Sequence, residues 1–456
     1  MADPVEYDDP GPIGPQPPSR VRRWLTVALL IVLIVSMISL AFVSGRGVVP
    51  IEPVVPPTPT AQTAAAHTPM LAVVDGNGRL TTTDAVGGSV VTYGRSGIRF
   101  SFPAWSPDGR HIAVIGQDGD ETTVYVFATV AAGAAATDPV IVYSSAYRPP
   151  FYLYWAPDGR QLSFLTTEPN GLALQVAPAD GSSAAIPIST GSPMYWAWAD
   201  AARMLVHTGG EGAGAFFGEI GMDGISVEPA PIEAGGFRAP AVSGNGRFRA
   251  YVTPGDGIQQ RVVVESHDRA SRHAVAVFGA AAIEFGPTTD DLAFIAPIQA
   301  GRAVTLPVGP LRLIDAASGV VRTIVAGSVI AFFWAPNGRT IATLQLAAPG
   351  DDKVAAAGRV ILAATAPGLA LRLVFVDVAS GAIRSQRAVR VSDTFAQRQL
   401  PYFDQYALSH EIWSADSRSI ALPLVADDGT SQVVVITSDG SGARRVADGV
   451  SGSWSP

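Results

Sequence analysis

Cysteine is absent from all 456 residues. That absence excludes disulfides, thiolate metal sites, a cysteine nucleophile and the lipidated cysteine of a bacterial lipoprotein. Charge is scarce as well, at 15% of residues, so long charged helices are not expected. Lys353 is the single lysine among 31 basic residues, and the net charge is −8. With no polybasic stripe, nucleic-acid binding is not expected. The six histidines, His67, His111, His207, His267, His273 and His410, show no His-x-His or HExxH spacing. Neither a metal site nor a cofactor is therefore expected. A Gly-x-Ser-x-Gly turn, which would raise a nucleophilic serine, is also missing, and no catalytic residue is assigned.

What is abundant is apolar and turn-forming: 48% hydrophobic residues with 47 Gly and 36 Pro, a balance that suits short strands joined by tight turns. One apolar run stands apart. Residues 24–43, "WLTVALLIVLIVSMISLAFV", carry no charge, and at ~1.5 Å rise per residue such a helix covers a ~30 Å hydrocarbon core. Arg20, Arg22 and Arg23 precede it and only Arg46 lies close after it, which places residues 1–23 in the cytoplasm and everything beyond outside. The run is too long for a signal-peptide core, so an uncleaved anchor is expected in the cell membrane. Residues 44–69, rich in Pro, Thr and Ala, read as an extended stalk.

From Met70 onward the chain repeats. Trp105, Trp155, Trp198, Val242, Phe285, Trp334, Trp413 and Trp454 recur at intervals of 50, 43, 44, 43, 49, 79 and 41 residues. Most intervals match the ~40 to 50 residues of a four-stranded propeller blade. After the anchor comes a turn, "SPDG" at Ser106, "APDG" at Ala156 or "APNG" at Ala335, where Pro fixes φ and Gly tolerates positive φ. A second strand follows, with Ile112 and Val114, Leu162 and Phe164, Ile341 and Thr343, and Ile420 and Leu422 at period two. "TTVYVFA" at Thr122 and "LRLVFVDVASG" at Leu371 read as third strands, and "VVRTIV" at Val320 and "ARRVAD" at Ala443 as fourth. The 79-residue interval contains no second turn motif and is read as one blade with insertions.

"AWSPDGRHIAVIG" at Ala104, "YWAPDGRQLSFLT" at Tyr154 and "FWAPNGRTIATLQ" at Phe333 resemble the TolB-type, WD-repeat-like β-propeller repeat. That resemblance, over roughly 70–456, implies an all-β, eight-bladed β-propeller. The final "SGSWSP" supplies a first strand without a second, while "MLAVVDGNGRLTTTDAVGGSVVTYG" from Met70 supplies three strands without a first. Pairing of the N- and C-terminal strands would close the ring and remove exposed strand edges.

Function is less legible. "QDGDE" at Gln117 and "ADDGT" at Ala426 read as hairpin turns, although acidic loops of this kind can bind Ca²⁺. "PYFDQYALSHEIW", 401–413, crowds aromatic and ionisable groups, and Tyr402, Asp404, Tyr406 and His410 are the candidate ligand-binding residues at a rim or channel mouth. The expected role is non-enzymatic: a membrane-anchored extracytoplasmic module binding or scaffolding a protein or cell-envelope glycan. The alternatives are a propeller hydrolase or lyase acting on carbohydrate, which needs paired carboxylates, and a membrane-tethered ligand sensor.

Overall fold

Each repeat is organised first by its turn. Ser106 Oγ accepts the His111 N–H at 2.9 Å and donates to Asp108 at 2.6 Å, and Asp108 accepts the Arg110 N–H at 3.0 Å. Gly109, Gly159 and Gly338 take φ of +67°, +69° and +67°, the left-handed conformation that glycine reaches without a Cβ penalty. In "SADS" Ser417 occupies the same position at φ +62°.

A computed structural model of the chain describes residues 69–456 apart from 213, 229–230, 300–306 and 347–367. The tail (1–23), the apolar span (24–43) and the stalk up to residue 68 lie outside the described residues. Among the described residues no helix is long and apolar enough to cross a membrane. With 55% strand and 4% helix, the protein is all-β and propeller-like.

The Trp105 unit is an antiparallel sheet of Arg99–Trp105, His111–Asp118, Glu121–Ala128 and Val140–Ser145. Pro150–Trp155, Gln161–Glu168, Gly171–Pro178 and Ile186–Gly191 repeat the pattern around Trp155. The Trp198 unit departs from it, with Met194–Trp198, Arg203–Thr208 and Phe216–Gly221 as strands and only isolated bridges at Ser226 and Ile232 beyond them. The Val242 unit regains the fourth strand at Arg272–Phe278.

The Phe285, Trp334 and Trp413 units run together into one ten-stranded sheet. The third joins through the Val391↔Leu424 pairing, and the first two are linked by Val321–Trp334, a 14-residue strand. Its first half pairs with Gly309–Asp315 as an outer strand, and its second half pairs with Thr340–Leu346 as an inner one. Gly327, at φ +126°, lies between the halves. The insertion that lengthens the Trp334 repeat falls between Thr340–Leu346 and Leu369–Asp377, which pair directly, so both strands belong to one unit.

Ser451–Trp454 pairs antiparallel with Met70–Val74, in the register Leu71↔Trp454 to Val74↔Ser451. Leu80–Asp84 and Val91–Tyr93 complete that sheet. Hydrophobic clusters bridge the neighbouring units: Phe164 packs with Ala104 and Val126, and Phe294 with Val262 and Val264. Another cluster joins Val433 and Val435 of the Trp413 unit to Leu71, Val73 and Trp454, bringing the series back to its start.

In four of the six motif tryptophans the indole N–H ties one unit to another, while Trp198 and Trp454 Nε1 have no hydrogen-bond partner. Trp155 Nε1 donates to the Ala104 carbonyl at 3.0 Å, Trp413 Nε1 to Phe333 at 3.0 Å, and Trp334 Nε1 to Glu284 at 3.4 Å. Trp105 Nε1 donates to Ser453 at 2.9 Å, so the same bond spans the junction between chain ends. These indoles are buried, where an unpaired N–H would be costly.

Candidate functional site

The stretch singled out in the sequence folds into three short helical turns: Phe395–Gln399, Leu400–Tyr402 and Phe403–Tyr406. None is long enough to be stable alone. Tertiary contacts hold them instead, and the contacts come from strands far apart in sequence. Phe403 meets Phe332 and Phe333 edge-on at 5.5 and 5.8 Å between ring centroids. Tyr406 meets Tyr152 at 5.1 Å and Phe102 at 5.8 Å. Asp404 accepts the Ala239 N–H at 3.4 Å. The segment therefore lies among the first strands of successive units as a plug.

Gln405 fastens it. Its Oε1 accepts the Trp196 N–H at 3.0 Å, and its Nε2 donates to the Trp196 carbonyl at 2.8 Å, satisfying strand Met194–Trp198 as a neighbouring strand would. The same Nε2 donates to the Tyr152 hydroxyl at 3.0 Å, and that hydroxyl donates to the Gln405 carbonyl. Burial pushes the Tyr152 hydroxyl far above its ordinary pKa, so it stays protonated as a donor.

Phe102 and Tyr152 both have positive φ, +56° and +53°, and both sit at β-bulges in their strands. Such a backbone costs on the order of 1–3 kcal/mol for a non-glycine residue and persists where surroundings over-determine it. Here the bulges turn both rings onto Tyr406.

Beyond the plug's end lies a cavity of about 360 Å³. Phe333, Trp334 and Trp413 contribute aromatic walls, and Glu284, His410 and Glu411 contribute its ionisable groups. Burial raises Glu284 well above the usual carboxyl range, and the nearby charges of Glu411 and Asp404 raise it further. Glu411 is exposed at the cavity, and desolvation by the surrounding protein pushes its pKa up to about 7. Burial pushes His410 down to about 4, with the Phe102 backbone acting the other way.

A chain of hydrogen bonds sets the His410 tautomer. Ser409 Oγ donates to the Tyr152 hydroxyl at 2.8 Å and lies 2.7 Å from His410 Nδ1, so Nδ1 carries the proton and donates to Ser409. His410 Nε2 and Glu284 Oε2 are buried atoms, closed off from the cavity, without a hydrogen-bond partner of normal geometry. Among the described residues, no three His, Cys, Asp or Glu side chains are grouped closely enough to hold a metal ion.

The four sequence candidates thus separate. Asp404 is 1% exposed and helps to hold the plug, as Tyr406 does by ring packing. Tyr402 is 41% exposed, with the Arg238 guanidinium 5.3 Å from its ring centre. His410, 6% exposed, is the one of the four that lines the cavity. Sequence reasoning missed Glu284, Glu411, Gln405 and Tyr152. A signal existed for Glu284: it precedes the motif aromatic, where the Trp105, Trp198 and Val242 units have Ala104, Ala197 and Ala241.

No protein-family model matches the chain, and no curated protein matches it. Solved structures do. A eukaryotic initiation factor structure is similar at TM-score 0.51 and 12% identity, covering 86% of this chain and 99% of that one. A putative TolB from Agrobacterium tumefaciens is similar at TM-score 0.35 and 11% identity, covering 72% and 91%. The C-terminal WD40 domain of Sif2 is similar at TM-score 0.44 and 11% identity, covering 79% and 90%. TolB and WD40 proteins thus stand among the structural neighbours.

Proposed function

We propose that this chain is a membrane-anchored, extracytoplasmic, eight-bladed β-propeller acting as a non-enzymatic binding or scaffold module for a protein or cell-envelope ligand. Eight blades follow from the eight motif anchors, with the two chain ends sharing the closing blade. The observation that carries the functional reading is the plug. Asp404, Gln405 and Tyr406 are committed to holding the segment in place, so a ligand meets the protein at the rim and in the remaining cavity. Tyr402 is the exposed member of that rim. A rigid ring with a filled centre presents surfaces, and function then follows from what those surfaces contact.

A second reading, a propeller hydrolase or lyase acting on carbohydrate, draws on Glu284 and Glu411, two carboxyls with raised pKa values in one cavity. Turnover of an envelope glycan by the purified chain, lost in Glu284→Gln and Glu411→Gln, would establish that reading over the first.

Topology has a direct test because the chain has no cysteine of its own. Tyr147→Cys, at a position 93% exposed, should react with a membrane-impermeant maleimide on intact cells. Ser19→Cys should react only after lysis. The reverse pattern would contradict the orientation, and labelling of both would contradict the anchor.

A further inference from the structure

We propose that the outer margin formed by the turns between third and fourth strands rests on a lipid bilayer surface, with one aliphatic side chain from each of six units entering the headgroup boundary. The inference deepens the membrane-anchored reading and rests on it. Its first ground is a recurrence. Val90, Ile141, Ile186, Ile225, Val320 and Ile383 are all more than half exposed, and each stands at or next to the start of its unit's fourth strand or, in the Trp198 unit, of the segment that bridges to Ile220. In the Val242 and Trp413 units Arg272 and Ala443 hold that position. Antiparallel strands alternate in direction, so the fourth strands begin at the same end as the turns between first and second strands. Contacts between units agree: Gly181 lies against Ile141 of the preceding unit, Gly224 against Ile188, and Gly381 against Ile324. At the opposite end exposed aliphatics occur in three units, at Ile258, Ile298 and Leu346 with Leu369. A single exposed aliphatic is ordinary, whereas recurrence at one strand end marks a contact surface.

The path of the chain selects the occupant. Met70–Val74 is a second strand, so its start takes the place of a turn between first and second strands. There the Met70 N–H donates to Ser455 Oγ at 3.1 Å, and Pro456 packs beside Gly109 in the corresponding turn of the next unit. Residues 44–68 join Met70 to the apolar run 24–43, so the link to the proposed anchor enters at the aliphatic end. Polar groups at this end also suit an interface. Arg110, Arg160 and Arg339 stand exposed in equivalent turns, five residues after the motif aromatic, where a guanidinium can donate to lipid phosphate. The turn aspartates Asp108, Asp180, Asp223 and Asp439 accept N–H groups of their own turns. Aliphatics spread singly along a margin meet a flat apolar-polar boundary, which a bilayer presents, and not a groove-filling peptide.

Fluorescence quenching on the full-length protein in phosphatidylcholine vesicles tests the contact, since the chain has no cysteine of its own. A fluorophore on Ala184→Cys or Ala382→Cys reports the aliphatic margin, and one on Tyr147→Cys or Ile258→Cys reports the opposite end, all four positions being exposed. With a nitroxide on the lipid acyl chain close to the headgroup, quenching at the margin should exceed that at the opposite end by about threefold or more. It should fall to the level of the opposite end in Ile141→Glu/Ile186→Glu/Ile383→Glu, which should melt like wild type in detergent because all three side chains are more than half exposed. Should the triple variant unfold, comparison of the two ends in otherwise wild-type protein still decides. Equal quenching at the two ends, or quenching at the margin unchanged in the folded triple variant, would overturn the proposal. So would blue-shifted emission without quenching, which would put a protein surface there instead of lipid. Absence of quenching in protein that co-floats with the vesicles sinks the margin contact and leaves the anchor standing. Protein that does not co-float contradicts the anchor itself, and the margin contact with it.

Discussion

The two sides of the plug are made differently. Toward the Trp155 and Trp198 units the plug's polar groups are matched: Gln405, Tyr152, Ser409 and the Trp196 backbone exchange hydrogen bonds of 2.8 to 3.0 Å. Toward the Phe285, Trp334 and Trp413 units Phe403 packs on Phe332 and Phe333, and beside that contact lies a cavity lined by Glu284, Glu411 and His410.

The largest effect that would break the comparison comes from the framework both sides share. Truncation after Gly449 removes the Ser451–Trp454 strand, the Trp105-to-Ser453 bond and the bond from Met70 N–H to Ser455 Oγ. Loss of cooperative thermal unfolding is expected for that variant; melting like wild type would sink the closure of the ring.

Next comes the matched side itself. Gln405→Leu leaves the Trp196 N–H and carbonyl without their partner and removes one of the hydrogen bonds of the Tyr152 hydroxyl. A destabilisation of about 3 kcal/mol is expected by chemical denaturation, because buried groups then lose hydrogen bonds with nothing in return. Trp155→Phe should cost less, about 1–2 kcal/mol, since it keeps most of the packing and loses the bond to Ala104. If the order of these two were reversed, the plug would be an ornament on a ring held by its tryptophans.

The unmatched side predicts the smallest effect and the opposite sign. Glu411 has its pKa raised from 4.5 to about 7, so the folded state favours its protonated form. That contribution is fully present below about pH 4.5 and is lost as pH rises through about 7. Glu411→Gln cannot ionise and should therefore melt higher than wild type at pH 8 and equal to it at pH 4.5. The carboxyl faces an open cavity, so solvent screening limits the gain to about 1 kcal/mol. His410, lowered from 6.5 to about 4, contributes stability above about pH 6.5 that is lost as pH falls through about 4. Wild type should accordingly lose stability toward both limits, and the alkaline loss should be smaller in Glu411→Gln, where Glu284 still contributes to it.

The repeats were legible because their information is local. Trp, Ser-Pro-Asp-Gly and the following strand lie within about a dozen residues, and each element carries its own turn chemistry. Alternation was the weaker guide. Ile112, Ala113 and Val114 are all 0% exposed, because each sheet has a neighbour on both faces and the strand has no solvent side. The continuous strand Val321–Trp334 was hidden for a related reason: Gly327 reads as a break, yet the chain passes through it from one unit to the next. Least legible was the plug. "PYFDQYALSHEIW" marked the right segment, but turns of three to five residues have no period to read. Its partners Phe102, Tyr152, Trp196, Ala239 and Phe332 are scattered across five units. Glu284 and Glu411 become neighbours only when the ring closes around that segment.

The placement of the plug is the claim on which both the matched side and the cavity depend, and hydrogen exchange by mass spectrometry on the full chain tests it most directly. The amides of Ala407 and His410, bonded to Phe403 and Tyr406 carbonyls at 2.7 and 2.8 Å, should exchange as slowly as those of the central strand Arg203–Thr208 and accelerate in Gln405→Leu. Exchange of Phe395–His410 in wild type at the rate of an unprotected surface loop would contradict it.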